Sequence, residues 1–123
     1  VINGMCKIGD ESDFRSPNVP KVVAATNGKL LYMSRAAIPT GKNLQFGEAK
    51  RQVCIYAFPR DAVLEFGNQK VKSRNEQIED IEILRYLDMG YTVKMVDVIG
   101  SDLAIDTEED LIRARKILSS KEK

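Results

Sequence analysis

The chain contains no histidine, so the commonest general base is missing and any chemistry must rest on carboxylates, lysine, arginine, tyrosine or a bound metal. Four sets of residues have suitable types and spacing. Arg35 is the only charged residue in Leu31-Tyr32-Met33-Ser34-Arg35-Ala36-Ala37-Ile38-Pro39, a run that Pro39 closes because proline gives no ladder donor. Its guanidinium offers five donors in a rigid fork that matches a carboxylate or a phosphate. The plainer alternative is an edge arginine, solvated or paired with a neighbouring acid. Glu76, Glu79, Asp80 and Glu82 crowd one helical stretch, flanked but not neutralised by Arg74 and Arg85. On an unbroken helix Glu76, Glu79 and Glu82 share a face, solvated or, for Glu82 beside an apolar stripe, able to accept sugar hydroxyls. Asp106 stands where an extended segment meets a helix, as an N-cap or as a hard oxygen ligand for Mg2+. Tyr56 and Gln52 are four residues apart on one strand face, a weaker pair for which a core tyrosine is the plain alternative.

These residues need elements to position them. Residues 1–8 read as a short strand and Gly9–Pro20 as a polar loop. Lys21–Ala25 and Leu30–Ser34 flank Thr26-Asn27-Gly28-Lys29, and Asn-Gly between apolar runs is a strong hairpin signal. Pro39–Lys50 is a loop. Gln52–Phe58 is a nearly continuous apolar strand, suited to the interior of a sheet. Pro59 opens a helix that Gly67 is expected to end. Ser73-Arg74-Asn75-Glu76 is a capping box, starting a helix expected to run to Met89 with Gly90 as its left-handed stop. Ile78, Ile81, Leu84 and Leu87, with Ile83 beside them, form its expected buried stripe. Thr92–Val98 is a valine-rich strand. Thr107-Glu108-Glu109-Asp110 caps a last helix whose apolar face is Leu111, Ala114, Ile117 and Leu118, with a fraying tail from Ser119. The expected class is α/β, a mixed sheet with a β-hairpin and flanking helices, in a single unit over 1–123.

Composition narrows the function. At 123 residues and 43% hydrophobic, the chain fits one modest core. A net charge of +1 gives no basic field for a phosphate backbone, so nucleic acid is not an expected partner. No apolar run approaches a membrane span. Cys6 and Cys54, both in apolar company, read as reduced core thiols of a cytoplasmic protein, and with no histidine they cannot complete a usual zinc site. No glycine-rich phosphate loop is present. A start at Val1-Ile2-Asn3-Gly4, without methionine, reads as a chain that begins inside a larger protein.

Taken in order, Lys21-Val22-Val23, the hairpin, Ser34-Arg35-Ala36-Ala37-Ile38-Pro39, Arg51-Gln52-Val53-Cys54-Ile55-Tyr56-Ala57-Phe58, Glu76–Arg85 and Ile105-Asp106-Thr107-Glu108-Glu109-Asp110-Leu111 resemble the acidic-sugar cytidylyltransferases. The resemblance covers nearly the whole chain and is nearest the branch that activates 3-deoxy-manno-octulosonate (Kdo) for lipopolysaccharide. It implies the C-terminal half of a nucleotide-diphospho-sugar transferase-like, Rossmann-like fold. It implies transfer of CMP from CTP to the anomeric hydroxyl of a 2-keto acid sugar, with Mg2+ and release of pyrophosphate. By resemblance Arg35, Gln52, Tyr56 and Glu82 fall at sugar-binding positions, and Asp106 at a metal-binding, catalytic carboxylate. A homodimer is implied too, as is an N-terminal half holding the CTP loop and a second metal carboxylate. Gln52 and Ile83 depart from the histidine and glutamine usual in the Kdo branch, so the exact acid sugar stays open. A sialic-acid-type enzyme and a non-catalytic dimerisation module remain alternatives.

Overall fold

The computed structural model describes residues 1–99, 105 and 107–121. In chain order the elements are β1 (Ile2–Lys7), α1 (Glu11–Arg15), β2 (Lys21–Ala24), β3 (Leu30–Ser34), β4 (Lys50–Ala57), α2 (Arg60–Asn68), α3 (Arg74–Glu79), α4 (Ile83–Asp88), β5 (Lys94–Asp97) and α5 (Glu108–Lys121). The five strands form one mixed sheet in the order β3-β2-β4-β1-β5, antiparallel except for the β1–β5 pair. The α/β class and the mixed sheet are as the sequence reading expects.

The main core lies where α2, α4 and Ile81 before α4 cover the sheet. Met5, Val22, Leu30, Met33, Val93 and Met95 meet Ala62, Ile81, Ile83, Leu84 and Tyr86 there. Each large apolar side chain removed from water contributes roughly 1.5–3 kcal/mol. A smaller cluster of Ile8, Phe14 and Ala49 anchors α1, with the Phe14 and Phe46 rings 5.1 Å apart.

The hairpin forms as expected. Gly28 takes φ +83, and the Gly28 N–H donates to the Ala25 carbonyl at 2.8 Å. A side chain here would also meet the Met95 carbonyl at 3.0 Å, because the turn reaches across to β5. The Leu30 N–H donates to Val93 O and the Met95 N–H to Gly28 O, both at 2.8 Å. By curling over the sheet, β2 leaves β4 early. It pairs only through Lys21–Arg51 and Val22–Lys50, with one more bond from the Gln52 N–H to Pro20 O. Pro20 has no N–H to continue the ladder. Beyond Gln52 the strand runs on with an open edge among the described residues.

Several expectations are corrected. The Gly9–Pro20 loop contains α1, because the Asp10 carboxylate caps it by accepting from the Asp13 N–H at 2.9 Å. Gly67 lies inside α2, which runs to Asn68. The helix expected from Ser73 to Met89 is two helices, broken where Asp80 takes φ 52. The Gly90 stop, at φ 87, is as expected, and of the capping box the Glu76 half forms, its Oε2 accepting from the Ser73 N–H at 3.1 Å, while the buried Ser73 Oγ has no partner among the described residues. The break turns the register, so Ile78 is 71% exposed while Ile81, Ile83 and Leu84 are buried. Cys6 is a buried thiol but Cys54 is exposed. Along α5, Leu111, Ala114 and Ile117 are half-buried and Leu118 is exposed. The helix extends to Lys121, through the residues expected to fray.

Candidate functional site

The site grows from an irregularity in the central strand. Between β1 and β4 the register runs from Asn3–Tyr56 to Gly4–Val53, so Cys54 and Ile55 form a bulge. A bulge bends its strand and re-aims the following side chains. The fully buried Asn3 fills it: its Nδ2 donates to Val53 O at 2.9 Å and to Ile55 O at 3.0 Å. Its Oδ1 accepts from Gln52 Nε2 at 2.9 Å. The same Nε2 donates to the Tyr56 hydroxyl at 3.3 Å.

Tyr56 is 39% exposed, not a core residue. Partial burial, then a hydrogen bond to Cys54, then the charges of Cys54 and Glu82 hold its hydroxyl in the protonated form well above the usual tyrosine range. Glu82 is exposed, at the entry to α4, and its charge acts on that hydroxyl. An aromatic ladder that the sequence reading missed braces the ring. Tyr56 stacks on Phe58 at 5.4 Å, Phe58 on Tyr86 at 5.2 Å and Tyr86 on Phe66 at 4.9 Å. The Arg85 guanidinium lies 3.9 Å from the Phe66 centroid. The spacing Tyr56-x-Phe58, two residues on one strand face, was its only sequence signal.

Arg35 lies at the α3–α4 corner. Nε donates to Glu79 O at 2.5 Å, Nη2 to Asp80 O at 2.9 Å and Nη1 to Pro17 O at 2.8 Å. The first two carbonyls are those freed where the left-handed Asp80 ends α3, so the arginine acts as a helix cap. Neither solvation nor a simple ion pair describes it.

The acidic set is likewise dispersed. The buried Glu76 forms a bidentate pair with Arg85, Oε2 to Nε and Oε1 to Nη2, both at 2.6 Å. Arg85 therefore does neutralise one member of the set. Its hydrogen bond holds the Glu76 carboxyl below the usual range. Glu79 accepts from Ser34 Oγ at 2.6 Å, the Arg35 N–H at 2.9 Å and the Tyr32 hydroxyl at 3.3 Å. Burial pushes the Glu79 carboxyl up, but these hydrogen bonds together hold it below its ordinary value. Asp80 pairs with Lys72 at 2.8 Å. Glu82 is exposed, and its charge acts on Lys72, Arg85 and Tyr56.

Of the sequence-expected sugar residues, Gln52 and Tyr56 touch, Glu82 is an exposed carboxylate whose charge acts on the Tyr56 hydroxyl, and Arg35 is engaged by carbonyls at the α3–α4 corner. Asp106 lies outside the described residues. The capping role that competed for it is filled by Thr107, whose Oγ1 accepts from the Asp110 N–H at 3.2 Å. Among the described residues no group of three acidic or thiol side chains could hold a metal ion, and no helix is long and apolar enough to cross a membrane. A hollow of about 660 Å³ lies under the curled hairpin, away from this site. Two of its cations are engaged, Lys50 on Asp97 at 2.6 Å and Lys94 on Asn27 O.

No protein-family model matches the chain. It is 40% identical over 93% of its length to a 3-deoxy-manno-octulosonate cytidylyltransferase of Flavobacterium johnsoniae, and 35% identical over 92% to one of Acidobacterium capsulatum. It is 34% identical over 85% of its length to an 8-amino-3,8-dideoxy-manno-octulosonate cytidylyltransferase of Shewanella pealeana. A solved CMP:2-keto-3-deoxy-manno-octonic acid synthetase complexed with CTP superposes on 98% of the chain with a TM-score of 0.81 at 29% identity. The chain spans about half of these proteins, 47%, 46% and 42% of the three relatives and 49% of the solved chain. Over that half-length the chain is similar, in sequence and in α/β fold, to the acidic-sugar cytidylyltransferases.

Proposed function

We propose that the chain is the sugar-binding, C-terminal half, residues 1–123, of a cytoplasmic CMP-sugar synthetase. The reaction would join the anomeric hydroxyl of a Kdo-like 2-keto acid sugar to the α-phosphate of CTP and release pyrophosphate. The observation that carries this reading is the hydrogen-bonded group of Gln52 and Tyr56 at the open end of β4, in a chain matching Kdo cytidylyltransferases over 93% of its length. Gln52, Tyr56 and Glu82 orient hydroxyls. Arg35 uses three of its five N–H groups on carbonyls, and the remaining two suit the sugar carboxylate. Holding the sugar in one pose supplies the proximity that transfer needs.

Asp106 would hold Mg2+, which takes one or two carboxylates with phosphate and water completing its shell. When bound, the ion shields phosphate charge and acidifies the attacking hydroxyl. An N-terminal half would bring the CTP loop and a second metal carboxylate, and the open edge of β4 beyond Gln52 is suited to pair with one of its strands. Ile55, Val63 and Leu64 are exposed apolar side chains of the kind a homodimer covers.

The test is pyrophosphate release from CTP, Mg2+ and Kdo. We expect none from this chain alone, turnover once an N-terminal half is added, and loss of most of it in Asp106→Asn. Turnover by the chain alone would sink the half-enzyme reading, and full activity in Asp106→Asn would remove Asp106 from the reaction.

A further inference from the structure

The bulge fixes more than the direction of Tyr56. An amide side chain has a donor end and an acceptor end, and which end faces a ligand is set by its other hydrogen bonds. Around Asn3 there is no freedom to exchange them. Its two bulge contacts, Val53 O and Ile55 O, are carbonyls and can only accept, so they hold the Asn3 nitrogen. The Asn3 oxygen must then face Gln52, which must answer with Nε2. The second Nε2 hydrogen goes to the Tyr56 oxygen. Both donors of Gln52 are thereby committed, and Gln52 Oε1, which has no hydrogen-bond partner among the described residues, is left as an acceptor. The Tyr56 hydroxyl oxygen receives rather than gives towards Gln52. The charge of the exposed Glu82 carboxylate also acts on that hydroxyl. Gln52 Oε1 is therefore left as an acceptor at this end of β4, beside a Tyr56 hydroxyl that keeps its own proton.

We propose that Asn3 is a positioning residue that locks Gln52 as a hydrogen-bond acceptor, so that the site selects an acid sugar presenting donors, hydroxyl or ammonium, at this point. The proposal rests on the sugar-site reading above and deepens it. A histidine at position 52 could present either a donor or an acceptor by changing tautomer. Gln52 with Asn3 behind it cannot. The cost of reversing the relay is an amide oxygen against two carbonyl oxygens in a fully buried place, where unpaired polar atoms are most expensive.

The experiment has two readouts, one of which needs no sugar. The first is exchange of the Gln52 side-chain NH2 protons with water, followed by 15N NMR in this chain. We expect slow exchange in the wild type and fast exchange in Asn3→Leu, while Asn3→Leu keeps the backbone spectrum of a folded sheet. Fast exchange of Gln52 in the folded wild type would overturn the relay whatever the substrate. Should Asn3→Leu fail to fold, Gln52→Leu, at a half-buried position, leaves the bulge bonds of Asn3 intact and serves the second readout alone.

That second readout is the ratio of dissociation constants for Kdo and for Kdo analogues bearing fluorine in place of single hydroxyls, measured with the chain and an N-terminal half together. Fluorine cannot donate. At least one substitution should weaken wild-type binding by about tenfold or more, and the ratio should fall towards one in Asn3→Leu or Gln52→Leu. Equal binding of all analogues by the wild type, or an unchanged ratio in the variants, would overturn the selection role. Protected NH2 protons with no binding of any acid sugar would instead refute the sugar-site reading, and the selection role with it, while leaving the amide relay standing.

Discussion

The α3–α4 corner, crowded with charge, and the mostly apolar C-terminal half of β4 are used in opposite ways. At the corner Arg35, Lys72, Glu76, Glu79, Asp80 and Arg85 each have a structural partner. Arg85 holds Glu76, Arg35 caps the broken helix, Glu79 gathers Ser34, Tyr32 and the Arg35 N–H, and Lys72 holds Asp80. Along β4 from Cys54 to Phe58 the side chains are exposed, the strand edge is unpaired and Gln52 Oε1 has no partner among the described residues. Charge density alone therefore points to the wrong place. The acid-rich stretch is scaffold, and the apolar strand beside it is the open surface.

The sharpest way to break this contrast is Glu76→Ala. It leaves the Arg85 guanidinium, whose side chain is only 12% exposed, without its carboxylate. A buried pair broken from one side costs about 3–5 kcal/mol, so chemical denaturation should show a loss of that order. A loss below about 1 kcal/mol would make the corner no more structural than β4. Next comes Arg35→Ala, which frees carbonyls at a partly exposed helix end. We expect about 2 kcal/mol of destabilisation in denaturant melts, with Arg35→Lys recovering only part because an ammonium cannot span three carbonyls. An Arg35→Ala chain of unaltered stability would return the whole fork to ligand binding.

Acid titration compares the two regions within one molecule. The Glu76 and Glu79 carboxyls are held below the ordinary value of 4.5 in the folded state. A depressed folded value means that the unfolded chain binds protons first as pH falls. Their stabilisation is complete above the unfolded value and is lost as pH drops below about 4.5 towards their folded values. Stability should therefore decline on the acid side, and Glu76→Gln should flatten the decline. An equal slope in Glu76→Gln would mean that this pair does not drive acid sensitivity. The smallest expected effect is at Ile78. On one continuous helix it would lie in the core, where Ile→Ala costs about 2–5 kcal/mol. At 71% exposure it should change stability by no more than about 0.5 kcal/mol. A loss of core size would restore the continuous helix.

Local rules made parts of this protein legible. The Asn27-Gly28 turn, the Glu76 half of the capping box and the Gly90 stop depend on atoms a few residues apart, so they could be read directly. The break at Asp80 could not. Its stretch has helical periodicity, and the left-handed turn is stabilised by Arg35, distant in the chain, bonding the freed carbonyls. The site shows the same division. Gln52, Tyr56, Glu82 and Arg35 were visible as candidates through their resemblance to the family, and Gln52 and Tyr56 meet through the period of a strand. Asn3 and the aromatic ladder were not visible, because strand pairing and helix packing bring those residues beside the site.

The sequence by itself determined the α/β class, the hairpin, the helix caps, the absence of a histidine base and the kinship with acidic-sugar cytidylyltransferases. Tertiary structure alone decided which charges became scaffold and which polar atoms stayed open to a ligand. The reason is physical. A side chain's chemistry is fixed by its type, but whether that chemistry is available depends on which distant carbonyl or carboxylate reaches it first. Arg35 was met first by the backbone, and Gln52 by Asn3 on one side only.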